Sequence, residues 1–204
     1  MSQMIEELQA EGRTLEVAML FPRQGEWTED DYLSLPENNR IVELSSGRLI
    51  ITPSPTIQHQ RILGKLYRLI GDFLLLNKLG EVVLAPMDVR LCEGRIREPD
   101  IVFMSNEHRD RIHEKYLDVP DLVMEIISEG TEYQDRVDKL GEYQKAGIPE
   151  YWIVDPSKQT IEVFTLENRT YVQFGKWGAG ETAHSKLLAG FQVVVDKVTI
   201  LMKL

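Results

Sequence analysis

Three short stretches hold the residues of this chain that could do chemistry: Glu98-Pro99-Asp100-Ile101-Val102, Leu122-Val123-Met124-Glu125-Ile126-Ile127 and Asp135-Arg136-Val137-Asp138-Lys139. The first two read as apolar strands, each with one acid where the neighbours predict burial. A carboxylate buried ionised and unpaired costs roughly several kcal/mol, so Asp100 and Glu125 each call for a cation or a hydrogen-bond donor. If the two strands are neighbours, the carboxylates converge near one sheet end and offer the oxygen ligands of a hard divalent cation. Such an ion could activate water and stabilise charge on a phosphate. Taken singly, each acid is read more simply as a strand cap or the partner of an arginine such as Arg97.

The third stretch sits on a helix expected from Thr131 to Ala146 and closed by Gly147. Thr131, Asp135, Lys139 and Tyr143 lie four apart and so share one helical face. Because this helix begins only a few residues after Glu125, that face could bring Lys139 over the strand end. The plainer reading is a surface ion pair between Asp135 and Lys139, worth only about a few tenths of a kcal/mol.

The elements that must position these groups follow from patterning. Thr28 before Glu29, Asp30 and Asp31 predicts a capped short helix running to about Leu35, where Pro36 stops it. Arg40 to Leu44 and Arg48 to Thr52 flank Ser45-Ser46-Gly47 as a hairpin. Ile62, Leu63, Leu66, Leu69, Ile70, Phe73, Leu74 and Leu76 repeat at helical spacing within Thr56 to Leu79, and Gly80 stands where a C-terminal glycine belongs. The other face of this long helix carries Arg61, Lys65 and Arg68, a basic stripe that is either solvated surface or phosphate contact. Strands are expected at Glu81 to Ala85, Met87 to Cys92, Arg95 to Met104 and Asp121 to Ile127, then at Glu150 to Asp155, Ile161 to Leu166, Tyr171 to Phe174 and Phe191 to Val195. Ser105 to Leu117 reads as a short helix with a loop. Helix and strand alternate in mixed order, which favours an α/β or α+β fold around a central mixed sheet.

A chain of 204 residues, 43% hydrophobic, supports one sizeable core. Residues 1–27 read as an extension or oligomer arm, and residues 28–204 as the folded domain. Half of the net charge of -10 falls in residues 1–30, which argues against a nonspecific nucleic-acid coat but allows a local basic face or a metal-neutralised acid cluster. The single cysteine, Cys92, excludes an intrachain disulfide and has no His or Cys spacing around it for zinc. No apolar run reaches a membrane span and the N-terminus lacks a signal-peptide pattern, so cytoplasmic location is the default expectation.

Together, Arg97-Glu98-Pro99-Asp100-Ile101-Val102, Pro120-Asp121-Leu122-Val123-Met124-Glu125, Asp135 with Lys139 and Tyr143, and Ala146-Gly147-Ile148-Pro149-Glu150-Tyr151-Trp152-Ile153-Val154-Asp155-Pro156 resemble the Uma-two-type restriction endonuclease family. That family belongs to the PD-(D/E)XK nuclease superfamily. The similarity extends to Val42-Glu43-Leu44, Gly47, Pro53-Ser54-Pro55 and His59 upstream, and to Leu188-Ala189-Gly190-Phe191 downstream. The resemblance implies a restriction-endonuclease-like core and magnesium-dependent phosphodiester hydrolysis, with manganese as an alternative ion. On it, Asp100 and Glu125 hold the metal, the Ile126 carbonyl is a further ligand, and Glu43 matches an upstream acid that some of these nucleases add. As a bare residue Glu43 could equally face solvent.

The sequence departs from the superfamily pattern at Ile127, which stands two residues after Glu125 where a lysine belongs. Lys139 resembles a relocated lysine that would orient the attacking water or steady transition-state charge. His59 and Tyr143 are accessory candidates, though a histidine at a helix start is more simply a surface or capping residue. Tyr151 and Trp152 suit core or cleft wall. The implied substrate is DNA, with RNA as an alternative, and cutting both strands would take two sites, as a homodimer supplies. The rival reading is a nuclease fold that lost its chemistry and serves binding or assembly.

Overall fold

The structure, a computed structural model, describes residues 21–36 and 41–200. Residues 1–20 of the extension expected over residues 1–27 lie outside the described residues. The contacts divide the chain into two compact units, residues 1–53 with 92–97, and residues 54–91 with 98–204.

In the first unit, helix α1 (Glu29–Leu33) starts at Thr28, whose hydroxyl accepts the Asp31 amide while the Asp31 carboxylate accepts the Thr28 amide. This reciprocal pair satisfies N–H groups that the first helical turn leaves open. Strands β1 (Ile41–Ser45) and β2 (Arg48–Thr52) form the expected hairpin, and β5 (Arg95–Arg97) pairs antiparallel with β1. Residues just before α1 are built into this unit. The Gly25 and Trp27 amides both donate to the Gly47 carbonyl, at 2.7 and 3.0 Å, and Trp27 is buried beside Tyr32, Val42, Leu44 and Ile96. A Cβ on Gly47 would come within 2.5 Å of the Gly25 oxygen, so this approach needs glycine.

The second unit is built on a six-stranded sheet in the order β11-β10-β9-β8-β6-β3. Its strands are β3 (Gly80–Leu84), β6 (Ile101–Ser105), β8 (Leu122–Ile126), β9 (Glu150–Asp155), β10 (Thr160–Glu167) and β11 (Thr170–Trp177). Only β8 and β9 pair in parallel, so the sheet is mixed as expected. A parallel pair needs a crossover, and residues between Ile126 and Glu150 supply it as a π-helix (Gln134–Lys139) continued by α3 (Leu140–Ala146). Gly147 closes it in the left-handed conformation.

Alternation along the strands assigns two cores. Leu122, Met124 and Ile126 face one side with Ile101 and Phe103, under the long helix α2 (Ile57–Asn77). Val123 faces the other side with Val102, Met104, Tyr151, Ile153 and Tyr143. Short elements complete the unit: β4 (Asp88–Cys92) pairing in parallel with β7 (Tyr116–Leu117), the 3-10 turn Asn106–Arg111, the β12 (Thr182–His184) and β13 (Gln192–Val194) pair, and α4 (Val195–Thr199). No helix among the described residues is long and apolar enough to cross a membrane.

Three expectations are corrected. The strand expected as Arg95 to Met104 is two, β5 and β6, separated at Glu98-Pro99-Asp100, because Pro99 has no amide to continue a ladder. Helix α2 ends at Lys78, which itself takes the left-handed cap, whereas Gly80 opens β3. There a Cβ would lie 2.1 Å from the Met104 carbonyl oxygen of the neighbouring strand. The crossover helix expected over Thr131 to Ala146 contains six π-helical residues.

Candidate active site

The register of β6 against β8 pairs Ile101 with Met124, so Asp100, one residue earlier, and Glu125, one later, fall side by side at one end of the sheet. Both are buried. Asp100 Oδ2 accepts the Ile126 amide at 2.7 Å and meets His59 Nε2 at 3.1 Å, while Oδ1 has no partner among the described residues. His59 arrives from the other side of the sheet, at the first turn of α2, where Thr56 caps its amide. It is buried on Asp100, so the surface reading of this histidine is corrected.

Glu125 alternates onto the face shared with Tyr143. Its Oε1 accepts both the Lys139 ammonium, at 2.8 Å, and the Tyr143 hydroxyl, at 2.6 Å. Lys139 Nζ also lies 3.6 Å from Asp135 Oδ1, and Asp135 Oδ2 accepts the Thr131 hydroxyl at 2.8 Å. The four residues spaced by four thus share a face, and that face is turned into the sheet. Lys139 and Asp135 are only 6% and 3% exposed, which rules out the surface ion pair. The π-helix is compatible with this because its wider turn, like the α-helical one, leaves residues four apart nearly above one another.

Asp100, Glu125 and Asp135 bring three carboxyl groups to this end of the sheet, beside the Lys139 ammonium and the His59 imidazole. Burial alone would lower the pKa of His59, but the hydrogen bond and charge of Asp100, with the Ile126 carbonyl and Asp135, more than reverse this and raise it. Tyr151 donates to the Asp135 carbonyl at 3.0 Å. Its phenol is pushed well above the ordinary range by burial first and then by Glu125 and Asp135, and it stays a neutral donor.

Residues outside the expected set hold this arrangement. Arg136, one residue on from Asp135 in the π-helix, donates to Asp155 Oδ2 at 3.1 Å and Glu162 Oε1 at 2.7 Å, tying the helix to β9 and β10. Asp155 Oδ1 in turn accepts the Ser157 hydroxyl and the Ser157 and Lys158 amides. The sequence signal for these was Asp155-Pro156 at a strand end, an acid followed by a turn. Glu150, fully buried, accepts Trp152 Nε1, the Ser185 hydroxyl and the amides of Lys186 and Leu187, pinning the Lys186–Leu188 segment.

A cavity of about 460 Å³ opens beside His59, lined among others by Thr56, Ile127, Ser128 and Glu129. Ile127, at the position where a lysine was missing, packs partly buried against the Val123 and Tyr143 core. Glu43, in the first unit, is 1% exposed and accepts Arg97 Nη1 at 2.8 Å, so it does not face solvent. Arg61 and Arg68 are exposed on α2, whereas Lys65 donates to the Ile200 carbonyl at 3.1 Å.

Residues 29–196 match the Uma2 family, described as "Putative restriction endonuclease". The chain belongs to the Uma2 family. A solved structure titled as a putative nuclease belonging to DUF820, from Anabaena variabilis ATCC 29413, is similar in fold, with a TM-score of 0.70 at 19% identity, covering 84% of this chain and 97% of that one. No curated protein matches. The Uma2 match spans the stretches that carry Asp100, Glu125, Lys139 and Tyr143, and the fold is that of the nuclease-like neighbour.

The donors present fit the divalent ion that this fold class implies. Asp100 offers a carboxylate oxygen with no partner among the described residues beside the Glu125 carboxylate, both hard ligands. Among the described residues no group of three or more His, Cys, Asp or Glu is arranged to hold a metal ion.

Proposed function

We propose that this Uma2 protein is a metal-dependent nuclease that hydrolyses phosphodiester bonds of DNA, with Asp100, Glu125 and Lys139 as its catalytic groups. The observation that carries the proposal is the 2.8 Å contact between Lys139 and Glu125. A lysine placed fourteen residues downstream restores the ammonium beside the second acid that Ile127 removes from the strand.

Asp100, Glu125 and the Ile126 carbonyl would hold magnesium, or manganese. When bound, that ion supplies Lewis-acid charge stabilisation and a more acidic water. Lys139 orients the attacking water and offsets charge on the phosphate oxygens as the new P–O bond forms and the ester P–O bond breaks. Tyr143 and Asp135 fix the ammonium and the Glu125 oxygen in place, and His59 fixes Asp100. Arg61 and Arg68 are the phosphate contacts of the proposal, and two copies would cut two strands.

Plasmid cleavage with magnesium, manganese or chelator, beside Asp100→Ala and Lys139→Ala, tests this. Metal-dependent cutting lost in both variants is expected, and cutting that survives Asp100→Ala overturns the assignment. A second reading, a nuclease fold kept for binding, draws on the same contact, since an ammonium on Glu125 can stand in for the metal's charge. Calorimetry showing manganese binding that disappears in Glu125→Ala counts against it.

A further inference from the structure

Strands β6 and β8 have a second pair of ends. Asp100 and Glu125 mark one, and Ser105 and Asp121 mark the other, roughly 15 Å away along the strands. At this far end a cavity of about 710 Å³ lies between α2, β6, the 3-10 turn and the Leu187–Ala189 segment, within the size range of small-molecule sites. Its apolar wall is Phe73, Leu79, Phe103 and Leu187.

His108 and Asp121 form its polar wall. Asp121 is buried, with Oδ2 accepting the Ser105 amide and Oδ1 lying 2.7 Å from His108 Nδ1. That carboxylate places a proton on Nδ1, so in the neutral ring Nε2, which has no partner among the described residues, is an acceptor. Ser105 Oγ also approaches Nδ1, at 3.3 Å, on the same nitrogen as the acid. A nucleophile would need to face Nε2, so these three residues are not a hydrolase triad.

The other polar groups of the lining offer acceptors too. Asn77 and Asn106 spend their amide nitrogens on the Phe73 and Lys78 carbonyls, which leaves each an oxygen. Glu107 forms no ion pair among the described residues. With Lys78 as the one cation of the lining, Glu107 and Asp121 leave a net negative charge when His108 is neutral.

We infer that this cavity binds a small molecule that joins an aromatic or branched apolar body to a protonated amine. The body packs against Phe73, Leu79 and Leu187, and the ammonium donates to His108 Nε2 and Glu107. The site is independent of the nuclease reading.

The test uses the full chain with 2-phenylethylamine as probe and 3-phenylpropionate, a similar body with the opposite charge, as its counterpart, read by saturation-transfer and amide-shift titrations. The amine is expected to bind and to shift amides of residues 105–108, and the carboxylate to bind about tenfold or more weakly. His108→Phe, which removes the Nε2 acceptor, and Glu107→Gln, an exposed change, should each weaken the amine by a similar factor. Amine binding should persist in Asp100→Asn, and any plasmid cleavage should persist in Glu107→Gln, so the two readings fail separately. Equal binding of the carboxylate, no binding of the amine, or insensitivity to both substitutions overturns the inference.

Discussion

Lys139 sits on Glu125 Oε1, buried with it, and this makes its removal informative in two ways. Breaking a buried ion pair from one side leaves an uncompensated charge and costs about 3 kcal/mol or more. Lys139→Met should therefore lower unfolding stability by about that amount in chelator, measured by urea denaturation. On the proposed reading, magnesium should recover more stability in Lys139→Met than in the unmodified chain, because the ion then supplies the missing counter-charge. Cleavage should nevertheless fall by about a hundredfold or more, since charge balance in the resting site does not replace a donor aimed at the transition state. Equal stabilisation of both chains by magnesium would separate the ion from Glu125.

At the scale of elements, the site depends on how the π-helix and the strands are fastened. Asp155 binds Arg136 and the turn after β9, and although burial pushes its carboxyl upward, the Ser157 hydroxyl, the Lys158 amide and Arg136 hold it below the usual range. A carboxylate with a lowered folded pKa contributes stability that is present above its unfolded value, about pH 4, and is lost as pH falls through the folded one. Asp155→Asn should then flatten the loss of stability below about pH 4, seen by thermal unfolding across that range. Gly80 is the other fastening, where β3 meets β6 so closely that a methyl group would lie 2.1 Å from the Met104 carbonyl oxygen. Gly80→Ala should cost about 2–4 kcal/mol, with hydrogen exchange accelerated first along β3.

For the molecule as a whole, a net charge of -10 sets a limit on how nucleic acid can be held. On the proposed function, DNA binding would come from a local basic face, with Arg61 and Arg68 as its candidates, since Lys65 already serves the Ile200 carbonyl. If Arg61 meets one phosphate, Arg61→Ala should reduce the slope of log affinity against log salt by about one, and Lys65→Ala should change it less. Fluorescence anisotropy on a DNA duplex over a salt series measures both. An unchanged slope in Arg61→Ala would move the DNA to another face.

Local spacing alone determined much of this protein. Thr28 with Asp31 marked a helix start, Ser45-Ser46-Gly47 a hairpin, the Ile62 to Leu74 repeat a long helix, and Glu125 an acid on a buried strand. Those signals are short-range, a matter of periodicity and caps that neighbouring residues settle among themselves. What the spacing left open was whether Lys139 pairs on the surface with Asp135 or reaches Glu125, and whether His59 is a capped surface residue. Tertiary structure decided both, because burial depends on which face of the helix meets the sheet and on which strands are neighbours. The same holds for Gly80, whose requirement is set by the carbonyl of a strand more than twenty residues away, and for Arg136 and Glu150, whose partners lie across the sheet. A chain read in one dimension contains the charges, but only packing fixes the distances between them, and the chemistry of carboxylate, ammonium and metal depends on those distances.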